Sequence, residues 1–195
     1  MEIYIKAITD FSEEEYKKYF EMMSEERKKA VLRLRFEGDR YRSVIGESLA
    51  RQGISKETGI EEADILFGRE EYGKPFCKNA DIHFSISHSK EAVVCAVSDR
   101  KIGADIEKMR NLETRIARIS CTDSDLEFIF GSATIPESFN NESLFRFFRL
   151  WTAKEAYFKY CGTGIVKLKD ISFKDIKDKC QMQVHGDYMI TIYED

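Results

Sequence analysis

Polar and apolar positions alternate from Glu2 to Ile8, the two-residue period of a half-buried strand. The period then lengthens. Ser12 and Glu15 have the spacing of a capping box and start a helix expected to run to about Met23, and Ser24 is placed to cap a second, basic helix reaching about Phe36. A third helix is expected from Asp39 to Gln52, with Gly53 as its stop. After a turn-rich piece, Gly68 to Pro75, come two strong strands. Asp81 to Ser87 alternates strictly, and Ala92 to Val97 is a nearly continuous apolar run. Ile102 to Glu107 reads as a third strand, so a small antiparallel sheet is expected here.

Beyond this point the pattern turns helical again. Asn111 or Thr114 is placed to cap the first segment, and residues 131–141 form a loop rich in Gly, Ser, Pro and Asn. Glu142 to Cys161 is a long helix ended by Gly162. Its aromatic and aliphatic residues cover so much of the circumference that the helix should be wedged between layers rather than laid on top. Ile171 to Tyr193 reads as strands with a turn at His185-Gly186-Asp187. The segments following His88 and His185 echo one another, each half running helices first and then strands. Two similar α/β halves with a cleft between them are the expected architecture.

Composition narrows the class. A chain of 195 residues can bury a real core, as one domain or two small packed halves, and 43% hydrophobic content with only two prolines describes an ordered globule. The net charge of −4 gives no general reason to expect a nucleic acid partner. Locally, seven basic residues between Arg27 and Arg42 face two acids, suited either to an anionic ligand or to a solvated helix face. Five cysteines without C-x-x-C spacing and three scattered histidines make a zinc site an unlikely expectation. The N-terminus lacks the pattern of a signal peptide and no apolar run reaches spanning length, so a cytoplasmic protein without a membrane partner is expected.

Candidate chemistry begins with the third strand. Asp105 and Glu107 share one face, about 7 Å apart, while Ile102, Ala104 and Ile106 share the other. Two carboxylates so placed repel unless a cation lies between them; a solvated strand face is the alternative. Glu155 and Lys159 sit one turn apart on the long helix, either an ordinary i,i+4 pair or a third acid with an ammonium beside it. Three acids and a lysine suit an Mg²⁺ site for phosphoryl chemistry. His88, at a strand end among hydroxyls, is either a structural histidine or a phosphate-binding imidazole, and Lys74 is either a solvated turn lysine or a charge set against a nucleotide.

The set Gly73-Lys74-Pro75, Ser85-Ile86-Ser87-His88-Ser89, Gly103-Ala104-Asp105-Ile106-Glu107 and Trp151-Thr152-Ala153-Lys154-Glu155-Ala156-Tyr157-Phe158-Lys159 closely resembles the 4′-phosphopantetheinyl transferases of the long, surfactin-synthetase-activating type, over about residues 1–175. That resemblance implies an α+β fold of two pseudo-symmetric α/β halves, residues 1–100 and 101–195. Each half would pack helices on a small, mainly antiparallel sheet, with the active site in the cleft between. It implies transfer of the 4′-phosphopantetheine of coenzyme A to a serine of an apo acyl, peptidyl or polyketide carrier protein by a monomer. Mg²⁺ is the implied cofactor, with Mn²⁺ as the alternative. Asp105, Glu107 and Glu155 match the family's metal-binding acids, and Glu155 and Lys159 its catalytic pair. Arg27, Arg42, Arg69, Lys74, Ser87 and His88 match positions that hold coenzyme A, with His88 near its 3′-phosphate.

Two departures qualify the match: Ala30 stands where many relatives are basic, and the tail after Phe173 is short, so a reduced second sheet is expected. The rival readings are a non-catalytic binder of coenzyme A or a carrier protein on the same fold, and another Mg²⁺ phosphotransferase or nuclease. The latter would call for a G-x-x-x-x-G-K-[ST] loop, which the sequence lacks, or a basic groove tracking a strand. Residues 111–130 and 131–141 are the candidate carrier-facing segments.

Overall fold

The computed structural model describes residues 1–164 and 167–195. Strand β1 (Glu2–Ala7) leads into helices α1 (Glu13–Glu21), α2 (Glu25–Leu32) and α3 (Glu37–Thr58). A short ribbon, β2 (Phe67–Arg69) and β3 (Pro75–Cys77), precedes the hairpin β4 (His83–Ser89) and β5 (Ala92–Ser98). Strand β6 (Ile102–Lys108) opens the second half. Helices α4 (Arg115–Ser120), α5 (Asp123–Phe130), α6 (Asn141–Cys161) and α7 (Phe173–Ile176) follow, then the hairpin β7 (Cys180–His185) and β8 (Tyr188–Glu194).

The two halves repeat one topology. Each starts with a strand, continues through helices and closes with a hairpin whose second strand pairs with the opening strand, giving sheet orders β1-β5-β4 and β6-β8-β7, antiparallel throughout. A strand, rather than a helix, therefore opens each half. On each sheet lies one long helix, α3 of 22 residues and α6 of 21. The expectation that β6 would join β4 and β5 in one sheet is corrected: its hydrogen-bonded partner is β8. The second sheet carries as many strands as the first.

Local signals set most boundaries. The Ser12 hydroxyl accepts the Glu15 amide at 3.1 Å while the Glu15 carboxylate accepts the Ser12 amide at 2.8 Å, a complete capping box. Helix α2 starts on Ser24 as expected but stops at Leu32, where Arg40 Nε donates to the Leu34 carbonyl at 2.9 Å and ties the break. Thr114 precedes α4 but does not cap it, its hydroxyl donating instead to the Glu137 carbonyl. Gly162 ends α6 in the left-handed region, as read from the sequence.

Gly53 does not end α3. It lies buried within the helix, where a Cβ would stand 2.6 Å from the Val97 side chain and 2.8 Å from the Tyr4 ring; the stop is Gly59, at φ +74°. The tail is likewise not all strand. Phe173 and Ile176, spaced three apart, bury one face of the short α7 before β7 begins.

Three apolar clusters hold the chain together. One lies between α3 and the first sheet, and one between α6 with its neighbouring helices and the second sheet. The third joins the halves: Ala92, Val94 and Ala96 of β5 meet Ile102, Ala104 and Ile106 of β6 and Ile190 and Ile192 of β8. Each of these isoleucines and valines contributes about 1.5–3 kcal/mol by leaving water. The face of β6 opposite this cluster is turned to α6, so closely that a Cβ on Gly103 would stand 2.0 Å from the Ala156 carbonyl oxygen. That approach sets β6 and α6, and the acids they carry, against one another.

Candidate active site

Asp105 lies on the α6-facing side of β6 and is 4% exposed. Its Oδ1 accepts hydrogen bonds from Lys159 Nζ at 2.6 Å and from the Ser87 hydroxyl of β4 at 2.8 Å. Lys159 Nζ also donates to Ser87 Oγ at 2.6 Å, closing a triangle across the seam between the halves. Two residues on, half-buried Glu107 accepts the Ser89 hydroxyl at 2.7 Å through Oε2. Burial pushes the Glu107 carboxyl above its ordinary pKa and the Asp105 charge adds to this, against the Ser89 hydrogen bond and the Arg110 and Lys159 cations. Glu155, half-buried on α6, is raised for the same reasons, burial first and then Asp105, with Glu107 adding and Lys159 opposing.

The three acids thus feel one another's charge across a shared space. Among the described residues, no three His, Cys, Asp or Glu side chains are grouped closely enough to hold an ion without adjustment. Here the ammonium of Lys159 is the cation beside Asp105. Even so, Asp105 Oδ2 is buried and has no hydrogen-bond partner among the described residues. An orphaned carboxylate oxygen is costly in a low-dielectric site, and with two further acids nearby it makes a hard oxygen donor set of the kind that suits Mg²⁺.

Two adjoining cavities extend from this centre. One, of about 380 Å³, is lined by Gly73, Lys74, Ser85, Glu155, Phe158 and Lys159 among others. The second, of about 500 Å³, holds Arg27, Glu47, Arg69, Lys78 and Phe84, and shares Pro75 and Ile86 with the first. Lys74 Nζ donates to the Ile102 carbonyl at 3.1 Å, reaching across the seam, and burial lowers its pKa. Arg69 donates to the Gly73 carbonyl at 2.8 Å, while Arg27 pairs with Glu47 at 3.4 Å and with Ser43 at 2.5 Å. His88 keeps contact with solvent, yet desolvation, then Arg42 and Lys159, hold its pKa below the usual histidine value. Arg42 itself is tied to Asp39 and to the Lys90 carbonyl.

Ser87, Asp105, Glu107, Glu155 and Lys159 therefore converge, with Lys74 on the wall of the same cavity. Arg27 and Arg69 lie in the neighbouring cavity, and His88 with Arg42 forms a third basic group. The Ser87 hydroxyl is committed to Asp105 and Lys159 inside the protein.

Family comparisons divide along the same chain. Residues 10–100 match the model described as "4′-phosphopantetheinyl transferase, N-terminal", and residues 101–191 that of the 4′-phosphopantetheinyl transferase superfamily. The 4′-phosphopantetheinyl transferase gsp of Aneurinibacillus migulanus is 36% identical over 175 residues, 88% of this chain and 70% of its own. The chain belongs to the 4′-phosphopantetheinyl transferase superfamily. Two further relatives agree. A 4′-phosphopantetheinyl transferase of Bacillus subtilis is 37% identical over 160 residues, 76% of this chain and 67% of its own, and the transferase Sfp of Bacillus subtilis strain 168 is 31% identical over 155 residues, 79% and 66%.

In this transferase two features escaped the sequence. Lys154, beside Glu155, is fully buried and donates to Asp125 Oδ2 at 2.6 Å and to the carbonyls of Ser120 and Leu168 at 3.0 and 2.8 Å. A lysine three and four places from Leu150, Trp151, Tyr157 and Phe158, and so on the apolar side of its helix, is the available signal. The second is the column Ser85, Ser87, Ser89: period two puts all three hydroxyls on one face, which the sequence displays without saying what they meet.

Proposed function

We propose that this transferase moves the 4′-phosphopantetheine arm of coenzyme A to a serine hydroxyl of an apo carrier protein, releasing adenosine 3′,5′-bisphosphate. Coenzyme A as the donor follows from family membership. The observation that carries the reading is the convergence of Asp105, Glu107, Glu155 and Lys159 at the seam between the halves.

Asp105, Glu107 and Glu155 would hold Mg²⁺, or Mn²⁺ in its place. When bound, the ion neutralises the diphosphate and holds it for in-line attack. Glu155, directly or through a water, accepts the proton of the carrier serine. The serine oxygen–phosphorus bond forms as the bond from that phosphorus to the bridging diphosphate oxygen breaks. Lys159 can release Ser87 and Asp105 to meet charge on the transferred or departing phosphate, an electrostatic contribution. The residues Arg27, Arg42, Arg69, Lys74 and His88 bind coenzyme A, His88 at the 3′-phosphate, with Ser87 positioning Lys159 at its edge. Ala30 offers that phosphate nothing, so its contacts fall to Arg27, Lys28 or Arg33. The reading assigns phosphate contacts to residues 1–100, and the acids and long helix to residues 101–195.

The reading includes a cytoplasmic monomer that takes an acyl, peptidyl or polyketide carrier and needs neither nucleic acid nor membrane. Among the described residues the five cysteines are free and no helix is long and apolar enough to cross a membrane. The test is direct. Incubation with coenzyme A, Mg²⁺ and an apo carrier protein should raise the carrier's mass by one phosphopantetheine; coenzyme A binding without that gain would sink the catalytic claim.

A further inference from the structure

Among the described residues, strand β6 is paired on one side only, with β8. Along its other edge, hydroxyls of β4 stand where a neighbouring strand's carbonyls would be. Ser85 Oγ accepts the Ala104 amide at 2.9 Å, and Ser89 Oγ accepts the Lys108 amide at 3.2 Å. This use of side chains in place of a strand has a chemical effect. A hydroxyl has one hydrogen to give and two lone pairs, one of which takes the Lys108 amide, while an ionised carboxylate can only accept. Its hydrogen is therefore directed to Glu107 Oε2, 2.7 Å away. Ser89 is only 8% exposed, so water competes poorly for either bond.

We infer that Ser89 is a positioning residue, one that fixes the Glu107 carboxylate from the opposite half so that its second oxygen is presented to the divalent ion. Ser87 holds Asp105 in the same manner at 2.8 Å, but also touches Lys159; of the site's acids and lysine, Ser89 touches Glu107 alone. The inference rests on reading Glu107 as a metal-binding acid. A hydrogen bond that orients a metal-binding carboxylate is worth roughly 10–100-fold in affinity or activity when removed.

The test is Mn²⁺ binding to the purified full chain, followed by the loss of the free Mn²⁺ spin-resonance signal, which needs neither coenzyme A nor turnover. Ser89→Ala should weaken Mn²⁺ about 10-fold, whereas Ser89→Thr, which keeps the hydroxyl, should bind near the wild-type level. In a Glu107→Gln background the alanine substitution should have less than about a 2-fold further effect, because its route is already cut. Circular dichroism and melting temperature confirm that each variant is folded. Wild-type affinity in Ser89→Ala, with Glu107→Gln weakened, overturns the Ser89 role and leaves the metal reading standing. Equal loss in the Ala and Thr variants overturns it too, since the hydroxyl is then not the cause. Unchanged affinity in Glu107→Gln overturns the metal reading of Glu107 and this inference with it.

Discussion

Lys154 Nζ lies 2.6 Å from Asp125 Oδ2, and neither side chain reaches solvent. Asp125 also accepts the amides of Thr122 and Phe173, so one carboxylate joins α5, α6 and the start of α7. Burial alone would raise its pKa, but Lys154 and the two amides outweigh it and hold the carboxyl below its ordinary value. Replacing Lys154 by Met should cost about 3–5 kcal/mol, because an uncompensated charge stays buried. The double variant Lys154→Met, Asp125→Leu should recover part of that loss. Urea unfolding of both decides it.

Glu155→Gln separates the proposed base from simple packing. The amide keeps the size of the side chain but cannot take a proton, so turnover with saturating Mg²⁺ and coenzyme A should fall by about 10²–10⁴. Near-normal turnover would remove Glu155 from both its proposed roles.

The raised acids make stability in metal-free buffer depend on pH in a definite direction. A carboxyl that binds its proton more tightly folded than unfolded favours the folded state at low pH, and that advantage disappears as pH climbs from the ordinary value of 4.5 past the raised one. His88, depressed from its ordinary 6.5, works the other way, so the comparison belongs in a His88→Ala background: there metal-free protein should melt lower at pH 7.5 than at pH 4.5, and Glu155→Gln should narrow the gap. Asp125, shifted downward, loses its contribution only at pH below its ordinary 3.8, outside this window. Excess Mg²⁺ should raise the melting temperature at pH 7.5 more than at pH 4.5. A flat profile in the His88→Ala background contradicts the shared charge of the acids.

Gly103→Ala is expected to be far worse than its size suggests. The new methyl would press on the Ala156 carbonyl oxygen, which belongs to rigid helix backbone, so β6 or α6 must shift, at a cost of about 3 kcal/mol. Gly59→Ala meets nothing within 4 Å and pays only for its positive φ, roughly 1 kcal/mol. Thermal melts of the two variants side by side measure the contrast, and equal losses would refute the close approach.

His88→Ala should weaken coenzyme A binding by roughly 10-fold, the worth of a hydrogen bond to a charged phosphate. Because its surroundings disfavour the cationic ring, wild-type affinity should rise as pH falls toward 6, and the variant should lose that slope. Isothermal titration at three pH values provides the check.

What the sequence made legible were the features set by near neighbours. Ser12 with Glu15, Gly162, and the alternation of β4 and β5 are local patterns, and each local rule held. Gly53 misled because a glycine reads as a helix stop, whereas here it is the contact through which α3 rests on Val97 and Tyr4, long-range partners that periodicity does not encode. The same applies to β6. Its residues announce a strand but not which sheet it joins, which depends on β8, nearly 90 residues away. Asp105, Glu107, Glu155 and Lys159 could be named from spacing and family resemblance. That Ser89 meets Glu107, and that Lys154 turns away from them to pair with Asp125, could not, since a serine column and a buried lysine acquire meaning only from what lies opposite.

The hydroxyl edging of β6 also binds cohesion to reactivity. Since the same oxygens that suture one lobe to the other also steer the acids, slippage of the interface by a fraction of a bond length would silence the centre well before the protein unfolded. Damage along this border should therefore surface as an inert but soluble and intact chain.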